Sequence, residues 1–251
     1  MGRPAELPRV VAIFGPTAVG KTGVAVGLAE LLRERGEDPV AVNCDAIQVY
    51  RGLEVLSGAA TRGEQDRLEH RLLSFVDPGE EFSAGRYAEL AHAEIDGLLA
   101  EGKRPIVVGG TGLYLRAALA SLSLEKAPPN AEGSELWSPE TRHPTVIFGL
   151  TMERELLYRR IEERVDAIVA AGAEEEVRRA ADLGPSHTAR KALGFRELLD
   201  GDVDRMKQRS RNYARRQMTW MRKMPRVHRI DVTSLSAAEV AERAVRMLGA
   251  G

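Results

Sequence analysis

Gly15-Pro16-Thr17-Ala18-Val19-Gly20-Lys21-Thr22 satisfies the phosphate-loop pattern G-x-x-x-x-G-K-[ST] at every fixed position. An apolar run, Val10 to Phe14, precedes it, and a helix-like run, Thr22 to Arg35, follows. This strand-loop-helix context gives the motif its meaning. The glycines let the backbone curl so that several N–H groups face one anion. The helix opening near Lys21 adds the positive end of its dipole. Lys21 supplies a point charge for an outer phosphate, and the Thr22 hydroxyl is suited to Mg²⁺. The loop therefore predicts a bound di- or triphosphate and leaves the reaction open.

Working outward, short runs rich in Val or Ile read as buried parallel strands: Val10–Phe14, Val40–Asn43, Pro105–Val108, Thr145–Leu150 and Val227–Val232. Helical patterns separate them, over Val24–Arg35 and Tyr87–Ala100, each followed by a glycine. Further helices are predicted over Glu153–Gly172, Ala189–Leu199 and Val203–Met224. A capping box, Ser236-Ala237-Ala238-Glu239, opens a terminal helix to Leu248. The expected fold is α/β, a P-loop-type open parallel sheet of about five strands with helices on both faces. Residues 1–122 and 144–251 form one core, and 123–143 reads as a surface loop or shortened insertion.

Ligands of such sheets bind beyond the carboxyl ends of the strands. Asp45, after the second strand, lies at such an end. Its carboxylate could hold a Mg²⁺-bound water, accept a substrate proton, or cap the following turn. Gln48 could read a base edge and Arg51 could bind phosphate. The third strand runs into Gly109-Gly110-Thr111-Gly112, which permits close backbone approach and offers the Thr111 hydroxyl at the same rim. Many phosphate-loop ATPases carry an aspartate there to organise Mg²⁺ and water. Neither Val107 nor Val108 is acidic, which weakens an ordinary ATPase or GTPase reading.

Composition sets the outer bounds. The chain has 251 residues, is 43% hydrophobic and 29% charged, and carries a net charge of −1. That balance fits a globular domain and gives no general affinity for nucleic acid, although a local basic patch escapes such a sum. Cys44 is the only cysteine, which excludes an intramolecular disulfide and agrees with a cytoplasmic location. His70 and His92 lack metal-ligand spacing. No membrane span is predicted: the longest apolar stretch, Pro105–Leu124, is interrupted by glycines and Arg116.

The three loop segments, taken in order, resemble the tRNA dimethylallyltransferase (tRNA isopentenyltransferase) family. Further matches are Asp77-Pro78 with Phe82-Ser83, Ala192-Leu193-Gly194-Phe195-Arg196-Glu197, and Arg211-Asn212-Tyr213-Ala214-Arg215-Arg216-Gln217-Met218-Thr219-Trp220. The resemblance implies transfer of a dimethylallyl group from dimethylallyl diphosphate to the N6 amine of an adenosine beside the tRNA anticodon, with Mg²⁺ as cofactor. It implies that Gly15, Pro16, Thr17, Ala18, Val19, Gly20, Lys21 and Thr22 hold the diphosphate, with Thr22 on the metal. Asp45 would be the general base, Thr111 would orient the amine, and Arg196 would reach the diphosphate. Asp45, Ala46, Ile47, Gln48, Thr111, Arg215 and Arg216 would face tRNA. A cytoplasmic monomer is expected.

Two departures stand out. Ala46 replaces a serine common in the family, a loss of one hydrogen bond worth about 0.5–1.5 kcal/mol. The family's helical insertion, which grips the anticodon stem-loop, is reduced to about Ser123–His143. Prenyl transfer to a free adenine nucleotide and small-molecule kinase chemistry therefore stay open as alternatives. The basic segment holding Lys207, Arg209, Arg211, Arg215, Arg216, Arg222 and Lys223 favours RNA.

Overall fold

The structure is a computed structural model, and it describes residues 9–122 and 135–249. The first half runs β1 (Val10–Phe14), α1 (Lys21–Arg33), β2 (Pro39–Asn43), α2 (Glu54–Ser57), α3 (Arg62–Arg67) and β3 (His70–Arg71). It continues with α4 (Ala84–Ala100), β4 (Arg104–Gly109) and α5 (Gly112–Leu119). The second half runs β5 (Thr145–Thr151), α6 (Arg154–Ala170), α7 (Ala173–Asp182), α8 (His187–Arg190) and α9 (Phe195–Leu199). It closes with α10 (Val203–Lys223), β6 (Val227–Asp231) and α11 (Ala237–Leu248).

The strands form one six-stranded sheet in the order β3-β2-β4-β1-β5-β6, with every pairing parallel. Every residue of β1 is buried, and alternate residues enter different cores. Val10, Ala12 and Phe14 join Tyr87, Ile95, Leu115 and Met221 on one face. Val11 and Ile13 join Val24, Leu28, Ile161, Ala241 and Val245 on the other. A central parallel strand covered on both faces has no polar side, which is why its sequence does not alternate.

The sheet has six strands where about five were expected. The additional one, β3, is two residues long and pairs with Ala41 and Val42. So short a strand leaves no apolar run to read. The helix predicted across Ala189–Leu199 is divided into α8 and α9. Gly194 interrupts it at φ +96°, and the Glu197 carboxylate accepts the Gly194 N–H at 3.1 Å to start the second helix. Within the predicted 123–143 loop, residues 123–134 lie outside the described residues. The part that follows is tied to the core: fully buried Arg116 donates to the carbonyls of Leu136 and Ser138 at 2.8 and 2.9 Å, and Trp137 packs on Trp220.

The terminal capping box is present. Ser236 Oγ accepts the Glu239 N–H at 3.3 Å, and the Glu239 carboxylate accepts the Ser236 N–H at 2.7 Å. Helix α11 packs along α1, which begins at the phosphate loop. Ser236→Ala should therefore lower stability by about 1 kcal/mol, read as a reduced urea midpoint with an unchanged slope. An unchanged midpoint would show that the cap carries no weight here.

Candidate active site

The order β4-β1-β5 places the phosphate loop at the carboxyl end of the central strand. From β1 the chain visits one side of the sheet, through β2, β3 and β4, and then crosses to the other. This reversal is where open parallel sheets bind ligands. Gly20, at φ +96°, turns the loop into α1, whose first turn has neither a side-chain cap nor an acidic residue. The orphan N–H groups of that turn thus face an electropositive hollow. Lys21 folds back, its Nζ donating to the carbonyls of Gly15 at 3.1 Å and Pro16 at 2.9 Å. Burial pushes its pKa down to about 8, opposed by the negative charge of Asp45 and reinforced by Arg164.

A cavity of about 1160 Å³ opens over this loop. Thr17, Ala18, Gly20, Lys21 and Thr22 line it, together with Asp45, Ala46, Ile47, Gln48 and Thr111. Gly15, Pro16 and Val19 stand behind the lining. A Cβ on Gly15 would come within 3.0 Å of the Leu150 carbonyl, and Val19 is buried. These three shape the loop.

Asp45 is held by a compact network. Asn43, almost fully buried, accepts the Asp45 N–H at 3.1 Å and donates to the carbonyls of Asp45 and Leu72 at 3.2 and 3.0 Å. Asp45 Oδ1 accepts the Ile47 N–H at 3.0 Å. Turn capping is thus one of its tasks, and it occupies one carboxylate oxygen. Thr111 Oγ1 accepts the Ala46 N–H at 3.0 Å, and the Thr111 N–H meets the Cys44 carbonyl at 3.3 Å. The loops after β2 and β4 are therefore fastened to each other. Cys44 lies buried beneath, with its thiol pKa pushed up by burial, as suits a small core residue.

Arg196 is not in the cavity. Helix α9 buries Phe195, Glu197 and Leu198, which turns Arg196 outward. Its side chain is 75% exposed and pairs with Asp200 at 3.4 Å. Arg51 is likewise exposed, donating to the Phe75 carbonyl at 3.4 Å. Arg164 of α6, by contrast, is near enough to Lys21 for its charge to act on it. It lines the cavity, donates to the carbonyls of Ser57 and Gly58 at 3.1 and 3.2 Å, and feels the charge of Asp45. Gln48 Nε2 donates to the same carbonyls at 3.4 and 3.2 Å. The only sequence signal for Arg164 was its phase: it adjoins the apolar stripe position Val165, an arrangement shared by many surface arginines.

Helix α10 divides in two. Lys207 pairs with Asp166, Arg209 with buried Glu197, and Arg211 with Glu162. Toward its carboxyl end, Arg215 bonds Asn212, Arg216 lies over the Tyr213 ring, Arg222 reaches Thr219 and Lys223 lies over Trp137. Of Arg215 and Arg216, only Arg216 lines the cavity. Tyr213 also lines it, with its hydroxyl 3.5 Å from Thr111 Oγ1.

Fold and site together define an open parallel α/β protein in which a phosphate-loop motif and Asp45 line one cavity. The family described as IPP transferase matches residues 48–142 and 128–224. A tRNA dimethylallyltransferase of Geobacillus kaustophilus is 32% identical, with 93% of this chain and 94% of the relative covered. That match runs over 302 positions, more than the 251 residues of this chain, so part of the relative's length has no counterpart here. A tRNA dimethylallyltransferase of Geobacillus thermodenitrificans is 33% identical over 90% of this chain and 91% of its own length. Among solved structures, the tRNA isopentenylpyrophosphate transferase of Bacillus halodurans superposes with a TM-score of 0.83 at 29% identity, covering 96% of this chain and 97% of that one. This chain belongs to the IPP transferase family.

Proposed function

We propose that this protein transfers a dimethylallyl group from dimethylallyl diphosphate to the N6 amine of an adenosine next to the tRNA anticodon. The observation that carries the reading is that Lys21, Asp45 and Thr111 line one cavity, with Lys21 near enough to Asp45 to feel its charge. The amine nitrogen attacks the allylic carbon, the carbon–oxygen bond breaks, and its electron pair leaves with pyrophosphate. The loop amides, Lys21 and Arg164 offset the charge that develops on that leaving group. Asp45 takes the proton released by the amine. Thr111 holds the Asp45 turn through Ala46 and presents its hydroxyl beside it.

At the phosphate cradle the Thr22 hydroxyl would hold the metal, and Thr22 lines the cavity. Mg²⁺ commonly keeps several waters and binds one or two protein oxygens plus substrate phosphates, so the residues present fit it. When bound there it would neutralise diphosphate charge. On the acceptor side, Arg215, Arg216, Arg222 and Lys223 supply phosphate contacts, and affinity for tRNA should fall steeply with salt. The described residues, 9–122 and 135–249, act as one core around a single sheet. No helix among the described residues is long and apolar enough to cross a membrane. The protein works as a cytoplasmic monomer.

The decisive experiment is mass spectrometry of tRNA nucleosides after incubation with the purified protein, dimethylallyl diphosphate and Mg²⁺. N6-dimethylallyladenosine is expected. Transfer to AMP but not to tRNA, or ATP consumption without prenylation, would overturn the reading.

A further inference from the structure

Gln217 takes part in no step described so far, yet both ends of its amide are committed. It is 3% exposed, on the face of α10 that meets the phosphate loop. Its Oε1 accepts the Thr17 N–H at 2.8 Å, and its Nε2 donates to the Gly110 carbonyl at 2.8 Å. The partners fix the amide's orientation, since a backbone N–H can only donate and a carbonyl can only accept. One turn earlier, Tyr213 places its hydroxyl 3.5 Å from the same Gly110 carbonyl and 3.5 Å from Thr111 Oγ1. Gly110 is shaped for this contact: a Cβ there would stand 2.3 Å from Gln217 Nε2. One buried amide therefore bridges the loop after β1 to the loop after β4.

We propose that Gln217 is a positioning residue, setting the separation between the phosphate loop that holds the leaving group and the Gly110–Thr111 loop that fastens the Asp45 turn. The inference rests on the prenyl-transfer reading above. In that reaction the leaving oxygen is held by one loop, and the amine and its base are held by the other. The two must meet at near-attack distance, and a misplacement of about 1 Å can cost on the order of 100-fold in rate. No backbone hydrogen bond links Thr17 directly to Gly110 among the described residues, so the side-chain bridge is the direct tie between them.

The test compares wild type with Gln217→Met, which keeps length and removes both hydrogen bonds, and Gln217→Asn, which keeps a neutral amide but is one methylene too short to reach both loops. Each is measured for kcat with tRNA and dimethylallyl diphosphate, for calorimetric Kd with pyrophosphate, and for thermal midpoint. The expected result for Gln217→Met is a fall in kcat of about 10- to 100-fold with pyrophosphate affinity near wild type. Gln217→Asn should fall between the two, and it carries the test alone if Gln217→Met does not fold. Wild-type kcat in the variants, or a loss of kcat matched by an equal loss of pyrophosphate affinity, would overturn the proposal. A wild-type protein that folds and binds pyrophosphate but transfers no prenyl group would overturn the underlying reading, and this inference with it.

Discussion

Asp45→Asn should abolish most prenyl transfer while leaving pyrophosphate binding intact. The asparagine keeps an oxygen that can accept the Ile47 N–H, so the turn should hold its shape. Asn43 and Thr111 brace the same turn from outside, through the Asp45 and Ala46 N–H groups. What the substitution removes is a carboxylate able to take a proton, and general-base contributions are typically about 100- to 10,000-fold. The measurement is single-turnover transfer to tRNA beside calorimetric binding of pyrophosphate. Turnover near wild type would remove Asp45 from the base role. Loss of pyrophosphate binding would instead make it a structural element of the donor site. Thr111→Ala makes an informative companion, because it frees the Ala46 N–H while leaving the carboxylate in place.

Lys21→Ala should lower kcat/KM for the prenyl diphosphate by about 100- to 1,000-fold, the range seen when one preorganised transition-state partner is removed. Lys21 also carries a pH signature. Burial lowers its pKa from 10.5 to about 8, while Asp45 pulls it up and Arg164 pushes it down. As pH rises through about 8, the free protein loses the charge that meets the diphosphate. The kcat/KM for the donor should therefore fall on the alkaline side with an apparent midpoint near 8. A bound diphosphate favours the charged amine, so donor binding above that pH should be accompanied by proton uptake. For stability the sign runs the other way. The folded state holds fewer protons than the unfolded state between about pH 8 and 10.5, so the cost of burying the charge is present below that window and relieved as pH rises through it. Lys21→Arg keeps its charge throughout and should erase the alkaline limb of the rate profile. A limb that persists unchanged in Lys21→Arg would assign it to another group.

The parts legible in the sequence share one property: their geometry is set by near neighbours in the chain. The phosphate loop needs only its own glycines, Lys21 and the helix that follows. Val10–Phe14 reads as a central strand because both of its faces are buried. The terminal capping box reads from Ser236 and Glu239 because both partners lie within one turn. Asp45 and Thr111 are legible as strand-end residues, and the architecture brings strand ends together.

Chain folding over long distances decided the rest. Gln217 meets Thr17 across 200 positions, and on α10 it reads as one polar residue in a basic, half-exposed helix. Arg164 meets the Ser57 carbonyl across 107 positions, and in α6 it reads as one more arginine. Arg196 shows the reverse: its motif looks functional, but a five-residue helix is too short for its phase to be read, and packing of Phe195 and Leu198 turns it to solvent. Lys207, Arg209 and Arg211 likewise pair with Asp166, Glu197 and Glu162, acids on other elements that the sequence of α10 does not reveal. Local pattern determines which backbone can cradle a phosphate. Which side chains face that cradle depends on how helices remote in sequence pack across the sheet, because burial and ion pairing are properties of the assembled surface.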